Sequence, residues 1–138
     1  MKLVQQKLRQ KWQSRWNSEV NNKLHFVKPV LGEFKSCVHQ ERFKEVVLCR
    51  LRIGHTHLTH NFLLTKQDKP GCEECGEELT VNHILFSCVK LEKLRKKYFT
   101  QFYHEYIPFH PTLLLADNAI VNIPSVFSFL KAAGVLEK

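Results

Sequence analysis

Three cysteines and a histidine, Cys72, Cys75, His83 and Cys88, follow one another as C-x2-C-x7-H-x4-C. Thiolate sulfur and imidazole nitrogen are the ligands Zn2+ takes in tetrahedral structural sites, and three sulfurs with one nitrogen fill all four positions. A filled shell leaves no place for a reacting water. The pattern therefore predicts a structural zinc site and weighs against a zinc hydrolase.

The first half of the box, Cys72-Glu73-Glu74-Cys75-Gly76, lets two sulfurs reach one ion from a tight turn, and Gly76 tolerates the positive φ such a turn needs. Pro70-Gly71 helps reverse the chain ahead of it. The second half is less regular. His83 and Cys88 are five apart, about 140° around an ideal helix of 3.6 residues per turn. A helix capped by Thr80 is thus expected to end or tighten before Cys88, so that its sulfur swings back to the ion.

Three further histidines, His55, His57 and His60, stand close together without a Cys, Asp or Glu beside them, and structural roles are expected for them. Arg50 and Arg52 precede them, and guanidinium forks match phosphate geometry. With Lys93, Arg95, Lys96 and Lys97 they make up the candidate nucleic-acid contacts. Catalysis finds little support: acids are scattered, and no nucleophile elbow, Walker loop or dinucleotide glycine pattern occurs. No carboxylate set suits a two-metal nuclease. The chain is expected to lack enzymatic activity of its own.

Charge follows the same division. Residues 1–66 hold 13 Lys and Arg against four Glu, residues 67–88 one Lys against five acids, and residues 89–97 five basic residues against Glu92. The metal loop is acidic and its flanks are basic. A net charge of +8 favours an anionic partner, of which nucleic acid is the commonest.

The elements that must position these groups read as helices. Val4, Leu8, Trp12, Trp16 and Val20 recur every four residues among Lys7, Arg9, Lys11 and Arg15, which predicts a basic amphipathic helix from Lys2 to about Val20. Residues 21–39 read as a connector. A second helix is expected from Gln40 to Ile53, capped by Gly54, with Cys49 as a buried free thiol. Thr56 caps a short helix, another helix starts near Val89 and runs to Phe102, residues 104–112 break the pattern at Pro108 and Pro111, and a last helix spans Ser125 to Ala133. The expected fold is mostly α: several short helices with a CCHC zinc-knuckle-like loop. The expected organisation is a basic helix and connector over 1–39, a helical zinc-knuckle domain over 40–103, and a C-terminal helical appendage over 104–138.

No apolar stretch approaches the length of a membrane span, and five cysteines, three of them in one cluster, are reducing-compartment usage. An intracellular location, nuclear or cytoplasmic, is expected, with no membrane partner.

Taken in order, the paired Trp12 and Trp16, Asn22-Lys23-Leu24-His25, the run from Leu51 to His60, and the C-x2-C-x7-H-x4-C box enclosing Leu79-Thr80-Val81-Asn82-His83-Ile84-Leu85 resemble one family. It is the C-terminal region of non-LTR (LINE-type) retrotransposon polyproteins, downstream of the reverse transcriptase and ribonuclease H domains. The resemblance implies a nucleic-acid-binding zinc knuckle with Cys72, Cys75, His83 and Cys88 as ligands, serving target-primed reverse transcription. It also implies that the polymerase and ribonuclease H carboxylates lie outside this chain, as in a reverse transcriptase fragment of a transposable element. The x7 spacing departs from retroviral knuckles, so their mode of base stacking is not implied. The competing expectation is a structural, protein-interaction module that docks on the polymerase part of the element.

Overall fold

The computed structural model describes residues 1–32 and 41–136, so Cys37, the end of the connector and the expected start of the second helix at Gln40 lie outside the described residues. The fold is mostly α. Among the described residues there is no strand, only one antiparallel bridge between Gly71 and Glu78. No helix among them is long and apolar enough to cross a membrane.

Helix α1 (Lys2–Asn17) has no buried residue, whereas α2 (Lys23–Val27) opens on Asn22, whose side chain accepts from the Leu24 amide, and buries Val27. Helix α3 (Arg42–Ile53) turns Leu48 and Leu51 inward. Gly54 ends it at φ +72°, with the His55 amide bonding back to the Arg50 carbonyl, the left-handed cap expected there. A side chain at Gly54 would meet Lys23 Cδ at 2.5 Å, so glycine also lets α2 approach. Cys49 is one residue out of phase with this inward face and is exposed, not buried as expected.

Thr56 caps α4 (His57–His60) through a reciprocal box with Thr59, and α5 (Phe62–Thr65) follows directly. After the metal loop come a π-type turn (His83–Ser87), a 3-10 turn (Val89–Leu91), α6 (Glu92–Tyr98) and α7 (Thr100–His104). The single helix expected from Val89 to Phe102 is thus divided at Phe99, which is fully buried, its ring 4.6 Å from that of Phe129.

Pro111 opens α8 (Pro111–Leu115) and Asn122 caps α9 (Ile123–Ala132), two helices with proline in the first turn, where its missing N–H costs nothing. They do not form an appendage. Leu114, Leu115, Val121, Val126, Phe129 and Leu130 belong to the same buried core as Leu48, Leu51, Leu85, Cys88 and Phe102. Segment 104–136 closes the core around which the metal loop is held, because its short helices carry enough apolar surface to complete one interior that residues 41–103 leave open.

Candidate metal centre

Pro70 and Gly71 lead into a narrow turn: the Cys72 amide donates to the Glu77 carbonyl (2.8 Å), the Gly76 amide to the Cys72 carbonyl (2.8 Å) and the Leu79 amide to the Pro70 carbonyl (3.0 Å). Gly76 has φ +70°, the left-handed conformation the motif predicted. Cys72 and Cys75 are held half-buried at the lip of this turn.

The second pair arrives from the opposite side. Thr80 Oγ1 accepts from the His83 amide (3.0 Å), so Thr80 starts the helical segment as expected. It ends before Cys88, as expected, but by widening and not by tightening: the backbone closes in the π-type turn at Ser87, Cys88 is extended (φ -60°, ψ 121°), and its amide bonds to the His83 carbonyl five residues back (2.8 Å). One added residue per turn brings a side chain five positions on back toward the same face, which an α-helix cannot do.

Cys72, Cys75, His83 and Cys88 thereby converge, one ligand atom from each lying within 4.8 Å of all the others, a group that can hold a metal ion. Cys88 Sγ is 3.8 Å from Cys72 Sγ and 3.9 Å from Cys75 Sγ, far beyond a disulfide bond. The His83 imidazole beside Cys72 pulls that thiol down to about 6. The Val89 amide favours the Cys75 thiolate, but burial and the neighbouring Cys72 and Cys88 sulfurs outweigh it and push Cys75 up.

His83 is 4% exposed, and Nδ1 is 3.1 Å from a Glu77 carboxylate oxygen. A carboxylate only accepts, so Nδ1 carries a proton, which in the neutral ring a metal needs leaves the lone pair on Nε2. That buried Nε2 has no hydrogen-bond partner. A buried imidazole nitrogen with no protein partner, set beside three thiols, has the chemistry of a metal ligand. Glu77, which composition marks as one of four solvated loop acids, is the residue that sequence reading missed. It fixes the ring's tautomer, as carboxylates behind metal-binding histidines do. Changing Glu77 to Ala is expected to weaken metal binding roughly 10- to 100-fold, and Glu77 to Gln less, in titration against a competing chelator.

The candidate phosphate contacts divide in two. Arg50 is exposed at the edge of an apolar cleft lined by Val47, Leu51, Ile84 and Leu130, and Lys93, Lys96 and Lys97 are exposed on α6. Lys96 pairs with Glu92 (3.1 Å), and the Lys97 ammonium lies 5.2 Å from the Tyr98 ring. Arg52 and Arg95 are not surface cations. Arg52 is 6% exposed, its Nε donating to the Leu115 carbonyl (2.9 Å) and Nη2 standing 3.9 Å from Asp117. Arg95 is 3% exposed and donates to the carbonyls of Ile84 and Cys88. Their forks are occupied by main-chain oxygens, so neither is offered to phosphate.

The His55 and His60 rings stack 3.8 Å apart at 10°, and His60 Nδ1 is 2.7 Å from Thr59 Oγ1. Burial first, and then the neighbouring His55, lower the pKa of His60. Against family models, curated proteins and solved structures, the chain finds no match.

Proposed function

We propose that this chain is a zinc-stabilised nucleic-acid-binding module derived from a non-LTR retrotransposon, without a catalytic centre of its own. The observation that carries the zinc reading is the four-ligand convergence with its unpaired His83 Nε2. Zn–S bonds of about 2.3 Å in a tetrahedron set the sulfurs about 3.8 Å apart. The two short sulfur separations, 3.8 and 3.9 Å, fit that edge. Three thiolates and an imidazole also suit zinc over the hard divalent cations. Bound there, the ion would cross-link the 70–79 turn to the π-type turn.

Nucleic acid is the partner that the charge supports. Phosphates are repelled by the exposed Glu73, Glu74, Glu77 and Glu78 and attracted by Arg50, Lys93, Lys96 and Lys97 on the flanks. Low sequence specificity is expected, since lysines contact backbone more than bases. A second reading, a module docking on the polymerase part of its element, is favoured by Leu63 and Leu64, which are 61% and 84% exposed just ahead of the acidic loop.

Zinc content of the purified chain and its binding of labelled RNA and single-stranded DNA at two salt concentrations test both halves. One zinc per chain and binding that weakens steeply with salt are expected. A chain without zinc sinks the first half, and binding to neither nucleic acid at low salt sinks the second.

A further inference from the structure

Helix α1 has sixteen residues, five cations (Lys2, Lys7, Arg9, Lys11 and Arg15) and no acid. Among the described residues, the hydrogen bonds and ring contact that tie it to the rest of the protein lie in its C-terminal part. Trp16 Nε1 donates to the Lys28 carbonyl (2.7 Å), and its ring meets His25 edge-on, with centroids 5.4 Å apart. Gln13 Nε2 donates to the Pro29 carbonyl (2.8 Å), and Gln13 Oε1 accepts from the Leu31 amide (2.8 Å).

Those two anchors fix which side of α1 faces outward. At 3.6 residues per turn, Val4, Leu8, Lys11 and Arg15 lie about 140° or more around the helix from Gln13. Two rows run along the helix: Lys7, Lys11 and Arg15 on the outward side, and about 60° from it Val4, Leu8 and Trp12, a row that drifts toward the anchored edge so that Trp12 stands beside Trp16. Val4, Leu8 and Trp12 are 61%, 48% and 61% exposed. Cations within the first row are spaced by four residues, a rise of about 6 Å, comparable to the step between phosphates on an extended strand. Beside Trp12 is an open recess lined also by Arg15, Trp16, Glu19, Asn22 and Leu31, in which Glu19 is the only acid among the described residues.

We propose that α1 is a single-strand-binding surface, with successive phosphates along Lys7, Lys11 and Arg15 and an unpaired base against Trp12 in the recess. This rests on the nucleic-acid reading above and adds where the strand lies and that it is unpaired. Charge complementarity selects a polyanion: five cations with no acid on the helix and a tryptophan face beside them. A duplex keeps its bases stacked away from Trp12. A membrane is disfavoured because the apolar row is one residue wide and bordered by cations, which leaves little surface to bury at the acyl boundary.

The test uses the full zinc-loaded chain with oligo(dT), oligo(U), a duplex of the same length, and phosphatidylserine-containing vesicles. Trp12→Ala should weaken single-strand binding roughly tenfold, the loss of one stacked base, and Trp12→Phe should restore most of it. The combined Lys7→Gln, Lys11→Gln, Arg15→Gln variant, whose glutamines keep helix propensity, should reduce the salt slope by about 2, three phosphates at about 0.7 each. Circular dichroism should show unchanged helix content in both. Wild-type oligonucleotide binding with both variants indistinguishable from it overturns the α1 assignment while leaving nucleic-acid binding intact. Absence of oligonucleotide binding by the wild-type chain removes the broader reading and this one together. Vesicle binding tighter than oligonucleotide binding, and lost in the triple variant, overturns the proposal in favour of a membrane surface.

Discussion

Changing Cys88 to Ser is expected to abolish tight metal binding and also to cost about 2 kcal/mol of stability in the metal-free protein. The same change at Cys72 should abolish metal binding alone. Both residues belong to the four-ligand group, but their surroundings differ: Cys88 is 4% exposed and packed within the core, whereas Cys72 is half-buried at the lip of the loop. A thiol packed in a core behaves as a small apolar group, and the shorter, more polar hydroxyl in its place loses packing and carries a desolvation cost that the polar atoms of Cys72, Cys75 and His83 on one side of it offset only in part. Unfolding in urea with excess chelator isolates the packing difference, since no variant then holds metal. Zinc stoichiometry without chelator reads the ligand role. Cys72→Ser should unfold with chelated wild type to within about 0.5 kcal/mol, and Cys88→Ser well below both. Retention of a full zinc complement by either variant would remove that residue from the ligand set.

The metal reading was legible because ligand type and close spacing are local properties. C-x2-C with a glycine after it specifies its turn almost alone, and Thr80 announces the segment carrying His83. What the spacing could not announce was how His83 and Cys88 reach one side. Reasoning from an ideal helix required an end before Cys88, and the chain makes it by widening its last turn by one residue, a solution supported by Arg95 from α6 through the Ile84 and Cys88 carbonyls. The two misread arginines share one cause. Both are candidates because a guanidinium fork suits phosphate, and residue type does not tell what covers the side chain. Arg52 is nevertheless covered by α8, whose Leu115 carbonyl lies 63 positions along the chain. Long-range cover also explains why 104–136, divided by prolines into short helices, reads as peripheral yet supplies much of the core. The helical fold class depends on local periodicity and was readable, although α2 lies in the stretch read as a connector and α8 starts in the stretch read as a break, both too short to show a period.

Arg95 provides the largest expected effect outside the ligands themselves. Removing its guanidinium as Arg95→Ala should destabilise the fold by about 3 kcal/mol, in the range of charge-assisted hydrogen bonds whose buried acceptors are left unpaired. It should also weaken metal binding, because the carbonyls released belong to Ile84, within the π-type turn, and to Cys88, the ligand that follows it. Lysine is a poor substitute: one ammonium cannot span two carbonyls as a planar fork does, so Arg95→Lys should recover less than half of the loss. Exposed Lys93, Lys96 and Lys97 on the same helix make the internal control. Alanine at any of them should change stability by no more than about 0.5 kcal/mol, including Lys96 with its surface pair to Glu92. Urea unfolding and chelator competition on the five variants separate a positioning arginine from a phosphate contact. An Arg95→Ala protein with wild-type stability and metal affinity but weakened nucleic-acid binding would return Arg95 to the surface set and leave the π-type turn without its side-chain support.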